Sequence, residues 1–338
     1  MDKTADTTLS PGRSAAGIRV QRSLAIGAGL LAVLAVAGAV LVPGFVSMQN
    51  ARSILLLASF LGIASLGQTL CALLGALDLS IPFVIGSANI LLPSLLVSGL
   101  PPAVAIALIL LLGALVGAVN GLMSFRIQGQ ALIMSLAVGF AVVGATQIYT
   151  TLGSIYAGTV FATIPDWLRN LAAFNGTTLG IPMPPVILIW AILAAVVILA
   201  MHRTWFGRGI YALGGSRVAA ARLQISERKL WVAVHAISGV ASVSAGMLLL
   251  GFSGGGFVGV GDPYLFTTVA AVVIGGTSLL GGAGGYGATV LGVLVLTVLT
   301  SILVGLGLSF ASQQAVVGLL IIPMVAIYAR APHIRNQI

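Results

Sequence analysis

Long runs of residues without a charged side chain dominate the pattern along the chain. A helix needs about 20 residues to cross the roughly 30 Å hydrocarbon core of a bilayer, and a charged side chain is costly at its centre. The uncharged runs therefore measure how many crossings the chain can make. Runs over 23–51, 53–77 and 130–152 are each long enough for one span. Residues 153–184 then form the most polar and irregular loop.

Turn residues divide the two longest uncharged runs into several spans. The first run, 79–125, contains Ser-Gly-Leu-Pro-Pro at 98–102, which predicts a turn between two spans. The second run, 263–329, has glycine-rich breaks at 281–287 and 305–309 and accommodates three spans. About ten crossings result. The predicted spans are 24–42, 53–77, 79–98, 102–125, 130–152, 185–201, 231–252, 265–281, 286–304 and 311–329.

The composition excludes the soluble classes of protein. Hydrophobic residues make up 59% of the 338 residues and charged residues only 6%, against about 25% charged residues in an ordinary soluble domain. So few polar residues cannot cover an apolar core of this size. Cys71 is the single cysteine, which excludes a disulfide-stapled secreted fold. The predicted fold class is an all-α polytopic membrane protein.

The basic residues fall almost entirely on one side of this predicted topology. With ten spans and the N-terminus inside, every lysine and arginine except Arg52 and Arg169 is cytoplasmic, as the positive-inside rule requires. Both termini are therefore predicted to be cytoplasmic. The net charge of +9 is interpreted as topology and contact with membrane lipid, and not as nucleic-acid binding.

The topology gives a simple domain layout. Residues 1–22 form a basic cytoplasmic tail, 23–330 the transmembrane domain, 202–230 a cytoplasmic loop within it, and 331–338 a second cytoplasmic tail. The first apolar stretch is longer than the about 7–15 apolar residues of a signal peptide. We therefore expect the first helix to be retained.

The sequence lacks the patterns of catalytic and nucleotide-binding sites. Neither of its two lysines lies in a phosphate-binding P-loop. The three histidines lack metal-ligand spacing, no pair of carboxylates suggests acid–base catalysis, and no serine lies in a nucleophile elbow. For His235, a hydrogen-bonded interfacial role is favoured over a place in a pathway. We expect no metal, no cofactor and no enzymatic activity in this chain.

Two aspartates lie at the ends of apolar runs. Asp78 precedes Ser80 and Pro82, and this order suits the first turn of the third span, with the Asp and Ser side chains as caps. The alternative is a polar residue placed where helices break beside a translocation route. Both interpretations remain open for Asp78. For Asp262 and Pro263, capping of the eighth span is favoured.

Four amide side chains inside predicted spans are further candidates for a solute pathway. Lipid cannot satisfy an amide, so Gln68, Asn89, Asn120 and Gln147 should face protein or a water-filled cavity. They could bond a hydroxylated solute or join helices to one another. For any one of them, joining helices is favoured.

Glycine and serine spacing predicts where helices approach closely. Small residues recur every four positions at Gly113, Gly117 and Gly121, and again at Ser238, Ser242 and Gly246. Such stripes allow backbones to touch. The cluster at 275–285 is too rich in glycine for an uninterrupted helix, and it should be buried in protein, line a cavity or lie at the inner surface.

The cytoplasmic loop 202–230 is too long to be a tight turn. It carries six basic residues and predicts a short amphipathic helix over 217–223. Docking of this helix into a groove of a partner protein is favoured over a role as a lipid-contacting anchor. The predicted docking residues are Arg217, Ala219, Ala220, Ala221, Arg222 and Leu223.

Four segments together resemble the permease subunits of ribose-type bacterial ABC importers. Ala76–Ser80 is similar to the Gly-Gly-Ile-Asp-Leu-Ser motif of that family, and Leu112–Leu122 to its helix ending in Asn-Gly-Leu. Leu213–Ile225 resembles the coupling segment with Ala-Ala-Arg-Leu. Ala270–Leu279 is close to Ala-Ala-Val-Val-Leu-Gly-Gly-Thr-Ser-Leu and is the most specific match.

The chain departs from the family pattern at three places. Gly75-Ala76-Leu77 replaces Gly-Gly-Ile, and Pro82 replaces a usual glycine. The Pro-Pro-Phe-Ile-Ala-Thr-Leu-Gly segment of the family is represented only by Gln-Ala-Leu-Ile-Met-Ser-Leu-Ala at 130–137. These changes lie near spans expected to border the pathway. The solute therefore stays open among sugars, sugar alcohols, furanose autoinducers and nucleosides.

The resemblance implies a transport mechanism with several partners. Two permeases, identical or related, would form the path between them in the bacterial inner membrane. Cytoplasmic ATPase subunits carrying ATP–Mg would bind residues 217–223. A periplasmic binding protein would deliver a sugar or similar solute to the outer face, which includes loops 153–184 and 253–264. Thr277 and Ser278 of the most specific motif join Gln68, Asp78, Asn89, Asn120 and Gln147 in the predicted pathway.

Two other functions compete with this prediction. An ion-coupled secondary transporter would need ionisable groups near mid-membrane, for which only Asp78 and His235 are available. A non-transporting scaffold or an intramembrane enzyme is disfavoured by the absence of a catalytic pattern. Co-purification with an ATPase would separate an importer from both.

Overall fold

The computed structural model describes residues 15–127, 131–152, 159–160 and 163–329, and it is almost entirely helical. Within these ranges, seven helices are long and apolar enough to cross a membrane. The helices are α1 Ala15–Leu41, α2 Met48–Leu73, α3 Ile81–Val97, α4 Pro102–Arg126, α5 Ala131–Thr151, α6 Asp166–Ala172, α7 Pro185–Arg203, α8 Trp205–Gly215, α9 Arg217–Arg222, α10 Glu227–Ser253, α11 Tyr264–Ile274, α12 Tyr286–Gly305 and α13 Phe310–Ala329.

The chain is thus an all-α polytopic membrane protein, as its apolar pattern predicts. Each predicted span overlaps one helix, but only seven of the described helices have the length and hydropathy of a full crossing. The count of ten and the orientation of the termini therefore remain predictions. Residues 1–14 and 331–338 of the predicted tails lie outside the described residues, and 15–22 already belong to α1.

Helix α2 occupies the centre of the bundle. Every residue from Ala58 to Leu73 is buried, and α2 packs against α10, α12, α11 and α7. A helix that is apolar all round is buried on all sides. The other helices are therefore arranged around α2, and their outer faces carry exposed apolar residues such as Leu111 and Ile133.

The two predicted stripes of small residues form helix contacts. Gly113, Gly117 and Gly121 of α4 lie against α10, where a Cβ on Gly117 would overlap the backbone carbonyl of His235. The second stripe packs on other neighbours, because Ser238 meets Gly67 of α2 and Gly246 meets the backbone of α3. The prediction that both stripes serve packing is confirmed.

Helix α11 is much shorter than the span predicted at 265–281. It ends at Ile274 after 11 residues, and at 1.5 Å per residue it is about 16 Å long. The chain then turns through glycines with positive φ, +89° at Gly276 and +92° at Gly281. Helix α2 likewise ends at Leu73 and not at 77. The predicted ends were wrong because both helices stop at contacts between segments distant in sequence.

The predicted cap at the eighth span is also wrong. Pro263 occupies the N-cap of α11, and no side-chain hydrogen bond caps that helix. A short 3₁₀ helix, Val258–Gly261, precedes α11, and Asp262 is its C-cap residue. The backbone of this turn, and not the Asp262 carboxylate, therefore shapes the entry to α11.

The two ends of α10 define the two ends of the bundle. At its C-terminal end, strands β1 (Thr159–Val160) and β2 (Gly256–Phe257) pair antiparallel, with Thr159 opposite Phe257. We call this the strand end. At the opposite end, where α10 begins, lie residues 74–80, helices α8 and α9 and the loop 275–285. We call this the motif end, because three of the family-like segments meet there.

Candidate functional site at the motif end

Asp78 is the centre of a buried hydrogen-bond cluster that joins four elements. Its Oδ1 accepts from the backbone N of Ser80 at 3.0 Å and from the Ser80 hydroxyl at 2.5 Å. Asn120 Nδ2 of α4 donates to the same oxygen at 3.0 Å, and Ser135 Oγ of α5 at 3.1 Å. Ser238 Oγ of α10 donates to Oδ2 at 2.6 Å. We call these five residues the Asp78 cluster.

Hydrogen bonds alone stabilise the charge of this carboxylate. Asp78 is buried, and no lysine, arginine or histidine forms an ion pair with it in the described ranges. A buried carboxylate is costly unless several donors satisfy its lone pairs. The cluster supplies those donors from α4, α5 and α10, so the charge fixes the positions of three helices relative to the α2–α3 turn.

Ser135 of α5 binds the backbone directly before α3, where the N-cap residue makes no side-chain cap. Ser80 occupies the N-cap but makes no side-chain capping bond, since its hydroxyl donates to Asp78 instead. Ser135 Oγ accepts from the backbone N of Leu79 at 2.5 Å and of Ser80 at 3.0 Å. The predicted cap by the Ser80 hydroxyl is therefore wrong, whereas the placement of Asp78 at a helix break is correct.

The glycine-rich segment forms a compact, half-buried loop that packs against α8 and the end of α2. Thr277 Oγ1 accepts from the backbone N of Gly285 at 3.1 Å, and Ser278 N donates to Ala283 O at 2.9 Å. Tyr211 Oη of α8 donates to Gly284 O at 2.9 Å. Burial raises the pKa of Tyr211, so this hydroxyl keeps its proton at neutral pH. We call residues 275–285 the glycine loop.

The predicted amphipathic helix forms as α9, one residue shorter than expected. Ser216 caps it by accepting from Ala219 N at 3.2 Å. Ala220 is buried against the protein, while Val218 and Leu223 are each 67% exposed. The remaining predicted docking residues, Arg217, Ala219, Ala221 and Arg222, are also exposed. One side of α9 thus anchors the helix and the other is free to meet a partner.

Arg217 ties α9 to the first turns of α10. Its Nε lies 3.3 Å from the Glu227 carboxylate, and its guanidinium lies over the Trp231 ring at 5.6 Å from the centroid. The ion pair is partly exposed and contributes little by itself. Stacking on a buried indole adds packing, so Arg217 serves as an internal link as well as a docking candidate.

Backbone contacts connect α8 to the glycine loop and to the end of α2. Gly282 N donates to Leu73 O at 2.9 Å. A Cβ on Gly214 would overlap both Leu73 O and Gly282 N. Gly75, with φ +78°, packs on the backbone of Leu280, whose carbonyl oxygen would lie 3.2 Å from a Cβ at this position. The exposed helix α9, the glycine loop and the turn that carries Asp78 therefore form one packed unit.

The structure brings together only some of the predicted pathway residues. Asp78 and Asn120 meet directly, and Thr277 and Ser278 lie in the glycine loop beside α8. Asn89 lies nearer the strand end, where it accepts from Phe257 N at 3.0 Å and donates to Gly246 O at 3.1 Å. It joins helices to the β2 segment, the role favoured for these amides.

The other two amides are separate from the Asp78 cluster. Gln147 is exposed on the outer face of α5. Gln68 is fully buried in α2, and neither its Nε2 nor its Oε1 has a hydrogen-bond partner. His235, whose Nδ1 lies 2.9 Å from Trp231 O, is hydrogen-bonded as expected, but it is buried and not interfacial.

Sequence reasoning missed Ser135 as a member of the cluster and treated Ser238 as a packing residue only. A lone serine in an apolar span carries no pattern that separates it from a spacer. A cleft near the strand end was missed too, of about 370 Å³ and lined by Asn50, Ser53 and Thr300 among others. A second cleft of about 590 Å³ adjoins it and shares Thr297 and Thr300.

Comparison with known proteins gives the family. Residues 50–325 match the family described as "Branched-chain amino acid transport system / permease component". The chain belongs to this family. The match covers all four motif segments, so the permease resemblance predicted from them is confirmed. No solved structure matches the chain significantly.

Individual relatives are transport permeases named for different solutes. The chain is 33% identical to the ribose import permease of Haemophilus influenzae over 84% of this chain and 86% of that protein. It is 33% identical to a probable ABC transporter permease of Escherichia coli over 88% and 87%. It is 30% identical to the autoinducer 2 import system permease of Yersinia enterocolitica over 78% and 79%. These relatives are permease subunits and not enzymes.

Proposed function

We propose that this permease is the translocation subunit of an ATP-driven importer for a sugar or sugar-like solute in the bacterial inner membrane. The observation that carries the proposal is the continuous packing from α9 through α8 and the glycine loop to the Asp78 turn. Allostery requires two sites and an element that connects them. This unit connects a docking helix to the helix packing of the membrane domain.

The energy source is a separate ATPase that binds α9 and carries ATP–Mg. The chain has no P-loop, whereas α9 presents exposed Val218, Leu223 and Arg222 on a helix that Ala220 fixes to the protein. A short helix with an apolar exposed face is suited to a groove on a partner. In this proposal the motif end is cytoplasmic, in agreement with the positive-inside rule.

Solute enters at the strand end. The adjoining clefts there are mostly apolar but carry several hydroxyl and amide side chains, including Asn50 and Ser53 in the first and Thr300 in both. Such groups can replace the hydration of a sugar, and relatives of the chain are named for ribose and autoinducer 2. Loops 163–184 and 253–264 lie at the same end and supply a surface for a periplasmic binding protein. A second permease, identical or related, completes the path.

Uptake by vesicles tests the coupling role of α9. The full transporter, with its ATPase, is reconstituted with wild-type permease, Arg222→Glu or the control Arg203→Glu. Arg222→Glu should insert normally but lose at least ten-fold in ATP-dependent uptake, because the reversed charge opposes docking. The control changes an exposed arginine at the same end, outside α9, and should retain uptake.

Two results would contradict the proposal. If the Arg222→Glu variant takes up solute normally and still binds the ATPase subunit, α9 does not have the proposed docking role. Uptake that persists without ATP but collapses with the proton gradient would indicate the secondary transporter instead.

A further inference from the structure

Two adjoining depressions lie on the outer face of α4. One section lies between α4 and the start of α10, the other between α4 and α5, and each has a volume of about 630 Å³. Leu115 and Val119 line both sections. The two sections therefore adjoin along these exposed side chains, and we call the pair the α4 groove. It is separate from the Asp78 cluster and from α9.

The length and lining of the α4 groove match a hydrocarbon chain. On α4 the second section extends from Leu112 to Met123, about 16 Å at 1.5 Å per residue. Half of the roughly 30 Å hydrocarbon core is about 15 Å. The lining is apolar apart from Tyr149 and Thr146, and Thr146 already donates to Val142 O. The second section is thus about as long as one leaflet is deep.

Two cations lie at the motif end of the groove. Arg228 and Lys229, both exposed in the first turn of α10, line its first section together with Ser226. Glu227, which directly precedes them in sequence, pairs instead with Arg217 at 3.3 Å. The mouth of the groove therefore carries a positive charge, while the rest of its lining is apolar.

We propose that the α4 groove binds one anionic phospholipid, with its phosphate at Arg228 and Lys229 and an acyl chain along α4. A basic site between transmembrane helices at a membrane surface favours acidic headgroups. A second copy of the chain fits less well. Among the acidic residues described, Asp78 is buried, Glu227 pairs with Arg217, and the other two lie at the strand end. A second copy in the same membrane orientation would place its own motif end at this mouth. In the described part of the chain, that end offers no unpaired carboxylate to Arg228 and Lys229.

Native mass spectrometry of the full chain tests the headgroup contact. The purified protein is titrated with phosphatidylglycerol and with phosphatidylcholine of the same acyl chains. Each basic residue near the surface strengthens binding of an anionic lipid about five-fold. Arg228→Gln/Lys229→Gln should therefore weaken phosphatidylglycerol binding about 30-fold. Arg203→Gln/Arg208→Gln removes the same charge at the same end, outside the groove, and should not.

A second pair of variants tests the apolar part. Ala118→Phe fills the groove beside Leu115, and Ala195→Phe adds the same ring to an exposed position on α7. Only Ala118→Phe should reduce phosphatidylglycerol binding. Inorganic phosphate at millimolar concentration should not displace the lipid, because it lacks the acyl contact.

Several results would overturn the proposal. Equal binding of the two lipids, or unchanged binding by Arg228→Gln/Lys229→Gln, would remove the headgroup site. Complete displacement by inorganic phosphate would indicate a phosphate site without lipid. Cross-linking of Leu115→Cys between two chains, abolished by Ala118→Phe, would assign the groove to a second copy. These assays measure binding and are independent of transport activity.

Discussion

At the scale of single residues, Asp78 shows how one charge can organise a helix bundle. Its carboxylate accepts five hydrogen bonds, from Ser80, Asn120, Ser135 and Ser238. A hydrogen bond to a charged group contributes about 1.5–3 kcal/mol when its partner would otherwise be buried alone. The cluster therefore depends on the negative charge, and each neighbouring helix depends on the cluster.

Replacing the charge tests this dependence. Asp78→Asn keeps the volume but turns one acceptor into a donor that faces the Ser238 hydroxyl. We expect a loss of about 2–3 kcal/mol in the free energy of unfolding, measured by denaturant titration in detergent. Asp262→Asn, at an exposed aspartate, is the control. Equal stability of both variants would show that the Asp78 charge is not needed for folding.

At the scale of elements, α8 and the glycine loop touch through backbone atoms. Gly214 meets Leu73 O and Gly282 N, and its neighbour Gly215 has no atom within 4 Å of a Cβ position. Contacts between backbones transmit displacement well, because no flexible side chain lies between them and packed interiors have few voids. The adjacent glycines of α8 therefore differ in the room left for a side chain, although the sequence presents them as equivalent.

This difference gives a matched pair of variants. Gly214→Ala should separate α8 from the glycine loop, destabilise the protein by about 1–3 kcal/mol and abolish ATP-dependent uptake. Gly215→Ala should retain both stability and uptake. Thermal unfolding in detergent and vesicle uptake measure the two effects. Retained uptake by Gly214→Ala would mean that coupling follows another route.

At the scale of the whole molecule, orientation is the prediction that most needs a direct measurement. The native Cys71 is buried, so a cysteine introduced at an exposed position should react alone. Thr177→Cys lies near the strand end and Arg203→Cys at the motif end. In intact cells an impermeant maleimide should label the first from outside, and the second only after permeabilisation. The reverse pattern would invert the proposed topology.

The sequence predicted the helices well and the cluster only in part. Uncharged runs locate helices because burying charge in lipid is costly, and each predicted span overlaps a helix. Asp78 and Asn120 were identified as polar groups inside apolar runs. Ser135 was not, because its partner lies in another helix and no local pattern encodes that pairing. The ends of α2 and α11 were misplaced for the same reason.

The burial of residues Ala58–Leu73 of α2 has a consequence for the order of events during synthesis. Its neighbours α10, α11 and α12 lie far later in the chain than Met48–Leu73, so the ribosome makes α2 long before they exist. Until then Ser65, Gln68 and Thr69, which end up wholly enclosed, have only lipid, the translocon or early helices beside them. The most enclosed helix of the finished permease thus enters the membrane before the helices that come to surround it.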